Sequence, residues 1–295
     1  MKKFYYILFL LISHNIFSQT INVIDELSRL PIPYTSIYLL DNNKIIGGLS
    51  CDENGKAELP ATNYEFIKIS SIGYEDLTIE HKNVKSFTVV LKPKATELNE
   101  VIISNKTVET IAYKGKKGRY LGMLKDVEII IYFKNRFKKP VTLKSFSFAT
   151  KKTIVENKIR IVMYSVKDST KHSQPGEMLL NQDIIFTLKP AHEGEVKVDL
   201  TQYGIVLPPD GAYIGIDVID VYDALGKYSF DKQHMNEFET INSKEKIFLS
   251  NHKYTNKGWE NINDIWEKTL KTTHRMWGKK KYFVIPSFSI EVFTD

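Results

Sequence analysis

Cysteine is almost missing from this chain of 295 residues; there is one, Cys51. A lone cysteine cannot close an internal disulfide, so stability has to come from packed cores. Cys51 reads as a small strand residue, buried or half-buried, rather than a reactive thiol. The short signatures of catalysis are missing too: there is no Gly-x-Ser-x-Gly elbow and no Gly-rich phosphate loop. Two His-x-x-Glu spacings occur, at His192–Glu195 and His234–Glu237, but neither stands in a pattern that would supply the rest of a zinc-peptidase site. Both read as chance spacings, and no metal or other cofactor is expected. Charge has no strong sign either. The formal balance is +6, and +4 without Lys2 and Lys3. Basic residues cluster only at 114–119 and 279–281, which read as solvated loops. A nucleic-acid partner is therefore not expected, because it would call for basic residues and aromatics interleaved on one element.

Long apolar runs are absent beyond the first residues. Lys2 and Lys3 precede the unbroken run Phe4–Ile12, and Ser18 is the small residue before Gln19. This is the three-part layout of a secretory signal peptide, residues 1–18. Its run of nine apolar residues is short of the roughly 20 that span a bilayer. No later segment approaches a transmembrane span. The expected mature chain is exported, to the periplasm or to an outer-membrane-associated or extracellular location. No cysteine stands just after the apolar run, so lipid attachment there is not supported.

What is present is strand pattern. From Thr20 to Ser104 the chain shows short runs of period-2 alternation separated by turn chemistry, and no helical period. Asp41-Asn42-Asn43 is a turn whose side chains tolerate left-handed backbone. Asn54-Gly55 is a tight-hairpin signal. Ile67 and Ile69 share a face opposite Phe66 and Lys68, and Phe87, Val89 and Leu91 share another. About seven strands with regular turns predict a small β-sandwich.

Residues Ile21–Asp25, Leu30–Tyr34, Asp52–Gly55, Ile69–Glu75 and Leu98–Ile103, in that order, carry a resemblance. The segment 19–104 resembles the carboxypeptidase regulatory-like domain, a transthyretin-like sandwich of seven strands that Bacteroidota envelope proteins use repeatedly. The pattern's usual Gly before the first strand is missing, and Cys51 stands where Thr is common. In carboxypeptidases this domain accompanies the catalytic domain and is not itself the enzyme, so the resemblance implies an accessory or docking role.

Residues 105–126 hold Gly115, Gly118 and Gly122 among Lys and Arg and read as a mobile linker, with room for a brief strand or turn at Thr107–Tyr113. From 127 to 295 strand patterns return. VEIIIYF at Val127–Phe133 is a buried strand; Ile159, Ile161 and Met163 face inward from the next run but one; Phe288, Ile290 and Val292 form the last. Eight or more such strands need two packed sheets. The expectation is a larger jelly-roll-like β-sandwich, similar to the carbohydrate-binding and galactose-binding-like modules of secreted proteins. The fold class is thus all-β.

Between Tyr222 and Trp277 the pattern is irregular, and all three tryptophans, Trp259, Trp266 and Trp277, lie there with Tyr254. Long loops on a rigid sandwich commonly carry binding. Sugar rings present apolar C–H faces that stack on flat aromatics while polar neighbours meet the hydroxyls. These four residues are the ligand-binding candidates, and packing within the sandwich is the competing role for each. A helix over 261–271 would turn Trp266 inward. No catalytic residue is assigned. The leading expectation is a non-enzymatic envelope protein acting as a binding or scaffold module, with an envelope protein or a glycan as partner. The alternative is an accessory or cryptic hydrolase or peptidase with its site in the C-terminal domain.

Overall fold

The computed structural model describes residues 19–83, 88–94, 107–167, 174–222, 235–266 and 282–294. The expected signal peptide, residues 1–18, lies outside the described residues. The chain divides into two compact units, 1–94 and 95–295, and nearly all regular structure in both is β. Among the described residues no helix is long and apolar enough to cross a membrane.

The first unit holds β1 (Gln19–Asp25), β2 (Ser36–Asp41), β3 (Lys44–Ser50), β4 (Lys56–Leu59), β5 (Phe66–Ser70), β6 (Leu77–Glu80) and β7 (Thr88–Leu91). They form two sheets, in the orders β4-β1-β7 and β3-β2-β5-β6. β1 runs antiparallel to β4 and parallel to β7. Period-2 alternation makes the core: Ile21, Val23, Ala57, Leu59, Val89 and Leu91 from one sheet meet Ile37, Leu39, Ile67 and Ile69 from the other in one cluster. Burying an aliphatic side chain of this size contributes roughly 1.5–3 kcal/mol. Cys51 belongs to the same cluster, 2% exposed, and burial pushes its thiol up to about 12.

Of the two turns, the first does what its sequence suggests and the second does not. Asp41 pairs with Lys44, and Asn42 and Asn43 between them have φ of 49° and 58°, the backbone of a type I′ hairpin. Asn54-Gly55 is not a hairpin, because β3 and β4 lie in different sheets. It carries the chain across the core, held by Asp52 Oδ1, which accepts from the backbone N–H groups of Asn54 (2.8 Å) and Lys56 (2.9 Å). Gly55 has φ of 69°, and a Cβ there would lie 2.6 Å from the Val23 carbonyl oxygen.

The second unit begins with β8 (Thr107–Ala112), β9 (Lys116–Gly122), β10 (Val127–Phe133), β11 (Val141–Thr150) and β12 (Glu156–Val166). It continues with β13 (Pro175–Met178), β14 (Ile185–Leu188), β15 (Gly194–Asp199), β16 (Val206–Leu207) and β17 (Ala212–Tyr222). It closes with β18 (Glu237–Ser243), β19 (Phe248–His252), β20 (Trp259–Asn261), β21 (Phe283–Pro286) and β22 (Ser289–Thr294). One sheet of seven strands runs β13-β12-β17-β10-β19-β20, with β14 also on β12. A sheet of eight runs β21-β18-β11-β22-β8, with β15 and β16 on β11 and β9 on β18.

The linker expected at 105–126 is corrected by this topology. Within it, β8 pairs with β22 over six residues and β9 pairs with β18. Its glycines serve close approach rather than mobility. A Cβ on Gly115 would lie 2.3 Å from the Asn242 carbonyl oxygen, and one on Gly118 would lie 3.0 Å from the Thr240 carbonyl oxygen. Glycine lets β9 lie against β18 where any side chain would push it off.

The two sheets pack through aromatics. Phe288 sits 5.2 Å from Phe146 and 6.0 Å from both Phe148 and Phe238, ring centre to ring centre. Phe148 of the eight-stranded sheet reaches Phe186 of the seven-stranded sheet at 6.3 Å. Phe186 is in register with Ile159, so the inner face of the seven-stranded sheet is the one that carries Ile159. In-register pairing adds Ile129, Ile131, Ile161, Met163, Ile214 and Ile216 to that face, all buried.

Candidate functional site

The opposite, outer face of the seven-stranded sheet is built differently. Five of its seven strands each place one polar or aromatic residue in a single row. Arg160 on β12 pairs with Asp217 on β17, Asp217 with Glu128 on β10, Glu128 with Asn251 on β19, and Asn251 with Trp259 on β20. Directly opposed residues share a face, so the register alone aligns the five side chains. The row is covered nonetheless: Asp217 is 1% exposed, Arg160 5% and Glu128 7%.

Burying charge is costly unless each charge is paired and hydrogen-bonded. Asp217 Oδ2 accepts from Arg160 Nη1 at 3.2 Å and from Lys253 Nζ at 3.0 Å. Arg160 also grips Asp183, Nε to Oδ1 at 2.8 Å and Nη2 to Oδ2 at 3.1 Å. Glu128 divides its oxygens: Oε1 accepts from the Tyr164 hydroxyl at 2.6 Å and Oε2 from the Asn251 amide at 2.8 Å. Lys253 begins the turn between β19 and β20, and its backbone N–H donates to the Asp126 carbonyl oxygen at 3.1 Å. Lys125 and Asp220 pair at 3.2 Å.

Protonation follows from this burial. Desolvation pushes the Asp126 carboxyl up to about 6 against the pull of Lys125 and Lys253. It also raises Glu128, with Asp217 adding to the shift, and raises Asp183 despite Arg160. Burial pulls the Arg160 guanidinium down, but Asp183 and Asp217 outweigh it and hold it above its ordinary value.

The four residues singled out from the sequence fall in separate places. Trp259 ends the polar row, half-buried, its ring edge-on to Tyr164 with centroids 5.3 Å apart and planes at 73°. Tyr254 lies half-buried in the adjoining turn, with Lys253 Nζ 5.6 Å from its ring centre. Trp266 is in a helical turn at 262–266, half-buried, with the Arg119 guanidinium of β9 5.2 Å over its ring. That turn is tied to β21, since Asn263 and Val284 exchange two hydrogen bonds at 3.0 Å. Trp277 lies outside the described residues. The structure therefore joins Trp259 and Tyr254 to one sheet and sets Trp266 against the other.

His192 is in a turn, its backbone N–H on Thr153 Oγ1 and its Nε2 3.2 Å from the Glu195 carbonyl oxygen. His234 lies outside the described residues. Among the described residues, no group of three or more His, Cys, Asp and Glu side chains is placed to hold a metal ion.

Arg160, Asp217 and Glu128 were not singled out from the sequence, and Lys253 was noted only as a neighbour of the tryptophans in the irregular segment. The available signal was one charge inside each of three otherwise apolar runs, VEIIIYF, IRIVMY and AYIGIDVI. Their register, which makes the charges neighbours, is a property of the folded sheet.

No protein-family model matches the chain, and no curated protein matches it. Among solved structures it is similar to the cysteine protease and lectin-like domains of Cwp84, a surface layer associated protein of Clostridium difficile. Identity is 11% and the TM-score 0.37, over 88% of this chain and 58% of that one. A likeness at that level bears on neither the site nor the activity.

Proposed function

We propose that this chain is an exported, non-enzymatic protein of a bacterial cell envelope that works as a binding or scaffold module. The first unit, read as a carboxypeptidase regulatory-like domain, serves as a spacer or docking element. The second sandwich contacts the partner, an envelope protein or a glycan. One observation carries the reading: the buried cations Arg160 and Lys253 are both engaged with Asp217, and the row ends at the half-buried Trp259, with Tyr254 half-buried in the adjoining turn. Mutually neutralised charges hold a surface in place, which is what recognition needs.

The test is in-cell crosslinking of the tagged full chain, with captured partners identified by mass spectrometry, beside a glycan screen of the purified protein. A reproducible envelope partner that is lost when residues 19–94 are deleted supports docking through the first unit. Glycan binding that survives the deletion assigns recognition to the second. Turnover of a peptide or glycan substrate by the purified chain would overturn the non-enzymatic reading.

A further inference from the structure

Trp259 stands at the end of a short strand, a place where an indole is commonly loose. Here one buried carboxylate controls both of its polar neighbours. Glu128 Oε1 accepts from the Tyr164 hydroxyl at 2.6 Å, and the Tyr164 ring in turn meets the indole edge-on at 5.3 Å. Glu128 Oε2 accepts from the side-chain amide of Asn251 at 2.8 Å, and Asn251 is the cross-strand partner of Trp259. A carboxylate on a sheet face with 7% exposure is a costly residue for packing alone, since an apolar residue would fill the same space without desolvating a charge.

Resting on the reading of the second sandwich as a binding module, we propose that Trp259 is a preorganised stacking platform for the apolar face of a pyranose ring in a neutral glycan. Glu128, Tyr164 and Asn251 are its positioning residues. Rigidity matters because an aromatic already fixed in its bound orientation loses little freedom on binding. Neutrality follows from the surroundings: Arg160 and Lys253 are both engaged with Asp217, which leaves them poorly placed to select a charged ligand.

The experiment uses the full chain with Trp266→Phe and Trp277→Phe, so that Trp259 is the sole indole. Cellohexaose, xylohexaose, mannohexaose and chitohexaose are the probes. Fluorescence and anisotropy of Trp259 are followed, with calorimetry on the unsubstituted chain as a second measure of affinity should the replacements disturb folding. The expected result is binding of at least one probe with a shift in Trp259 emission, and a loss of about tenfold or more in affinity in Trp259→Ala. Tyr164→Phe should lower the anisotropy of Trp259 and weaken binding about threefold, while the chain stays folded. Binding that is indifferent to Trp259→Ala overturns the platform and leaves the binding-module reading standing. Absence of binding to every probe overturns the glycan assignment, and the crosslinking result then decides the broader reading by itself. Unchanged anisotropy in Tyr164→Phe overturns the positioning role.

Discussion

Among the described residues, the second unit buries charges paired with one another and the first does not. In the first, the space between the sheets is filled by aliphatic side chains, Tyr64 and one thiol, and the alternation of the strands shows most of them. In the second, the inner face of the seven-stranded sheet follows the same rule, but its outer face buries Arg160, Asp217, Glu128 and Lys253 as well. An apolar core depends on volume and tolerates exchange of one hydrocarbon for another of similar size. A charge row depends on pairing, and removing one partner strands the others in a low-dielectric setting.

The sharpest way to expose this difference is a pair of shape-conserving substitutions, one in each core. Asp217→Asn keeps the outline of the side chain but removes the charge facing both Arg160 and Lys253. It should destabilise the second unit by about 3–5 kcal/mol, the cost of breaking a buried ion pair. Ile69→Leu in the first unit should cost less than about 1.5 kcal/mol. Urea unfolding followed by hydrogen exchange resolved along the chain assigns each loss to its unit. Equal, small effects would mean that the row is hydrated and pairs only weakly.

A smaller effect separates the units by pH. The Asp126 carboxyl lies at about 6 in the folded chain against an ordinary 3.8, raised by burial. The folded state therefore binds this proton more tightly than the unfolded state does. Stability is greatest below the ordinary value, falls as pH rises from about 4 to about 6, and levels off above that. The shift corresponds to at most about 3 kcal/mol. Asp126→Asn should flatten that slope in the second unit and leave the first unit's profile alone. Unfolding midpoints at pH 4.5 and 7.5 check this, and a slope that persists in the variant would move its origin to Glu128 or Asp183.

Much of this contrast was legible in the sequence, and the illegible part has a physical cause. The alternation in Ile67/Ile69, Ile159/Ile161/Met163 and Phe288/Ile290/Val292 identified inward residues, because period 2 is local. Asn42-Asn43 was readable as a left-handed turn for the same reason. The glycines of 115–122 were not readable as close-approach residues, because what they approach, Thr240 and Asn242, lies more than a hundred positions away. Asn54-Gly55 showed a turn but not whether it joins strands of one sheet or two. The charge row is the extreme case: Glu128, Arg160, Asp217 and Asn251 become neighbours only through register, and a slip of one residue in any strand would turn its member of the row to the other face. Trp259 and Tyr254 were identifiable by residue type, whereas the groups that hold Trp259 in place were not.

The smallest expected effect lies on the outer surface of the other sheet, where charge is paired but wet. Glu291 on β22 takes Lys197 Nζ at 2.8 Å, the Ser145 hydroxyl at 3.0 Å and Lys144 Nζ at 3.3 Å. The Lys197 contact is the main reason that its carboxyl is lowered to about 2, with Ser145 and Lys144 adding to the shift against desolvation. A depressed carboxyl contributes stability above its ordinary value, 4.5, and loses it as pH falls toward about 2, the reverse of Asp126. Because water screens the pair, Glu291→Gln should change stability at pH 7 by only about 1 kcal/mol or less. Its signature is in the acid limb: stability of the second unit should decline less between pH 4.5 and 2 in the variant than in the unsubstituted chain. The same number of charged partners thus has a large effect in the covered row and a small one on the open face, and the difference between them is exposure. A loss at pH 7 as large as that of Asp217→Asn would break that distinction.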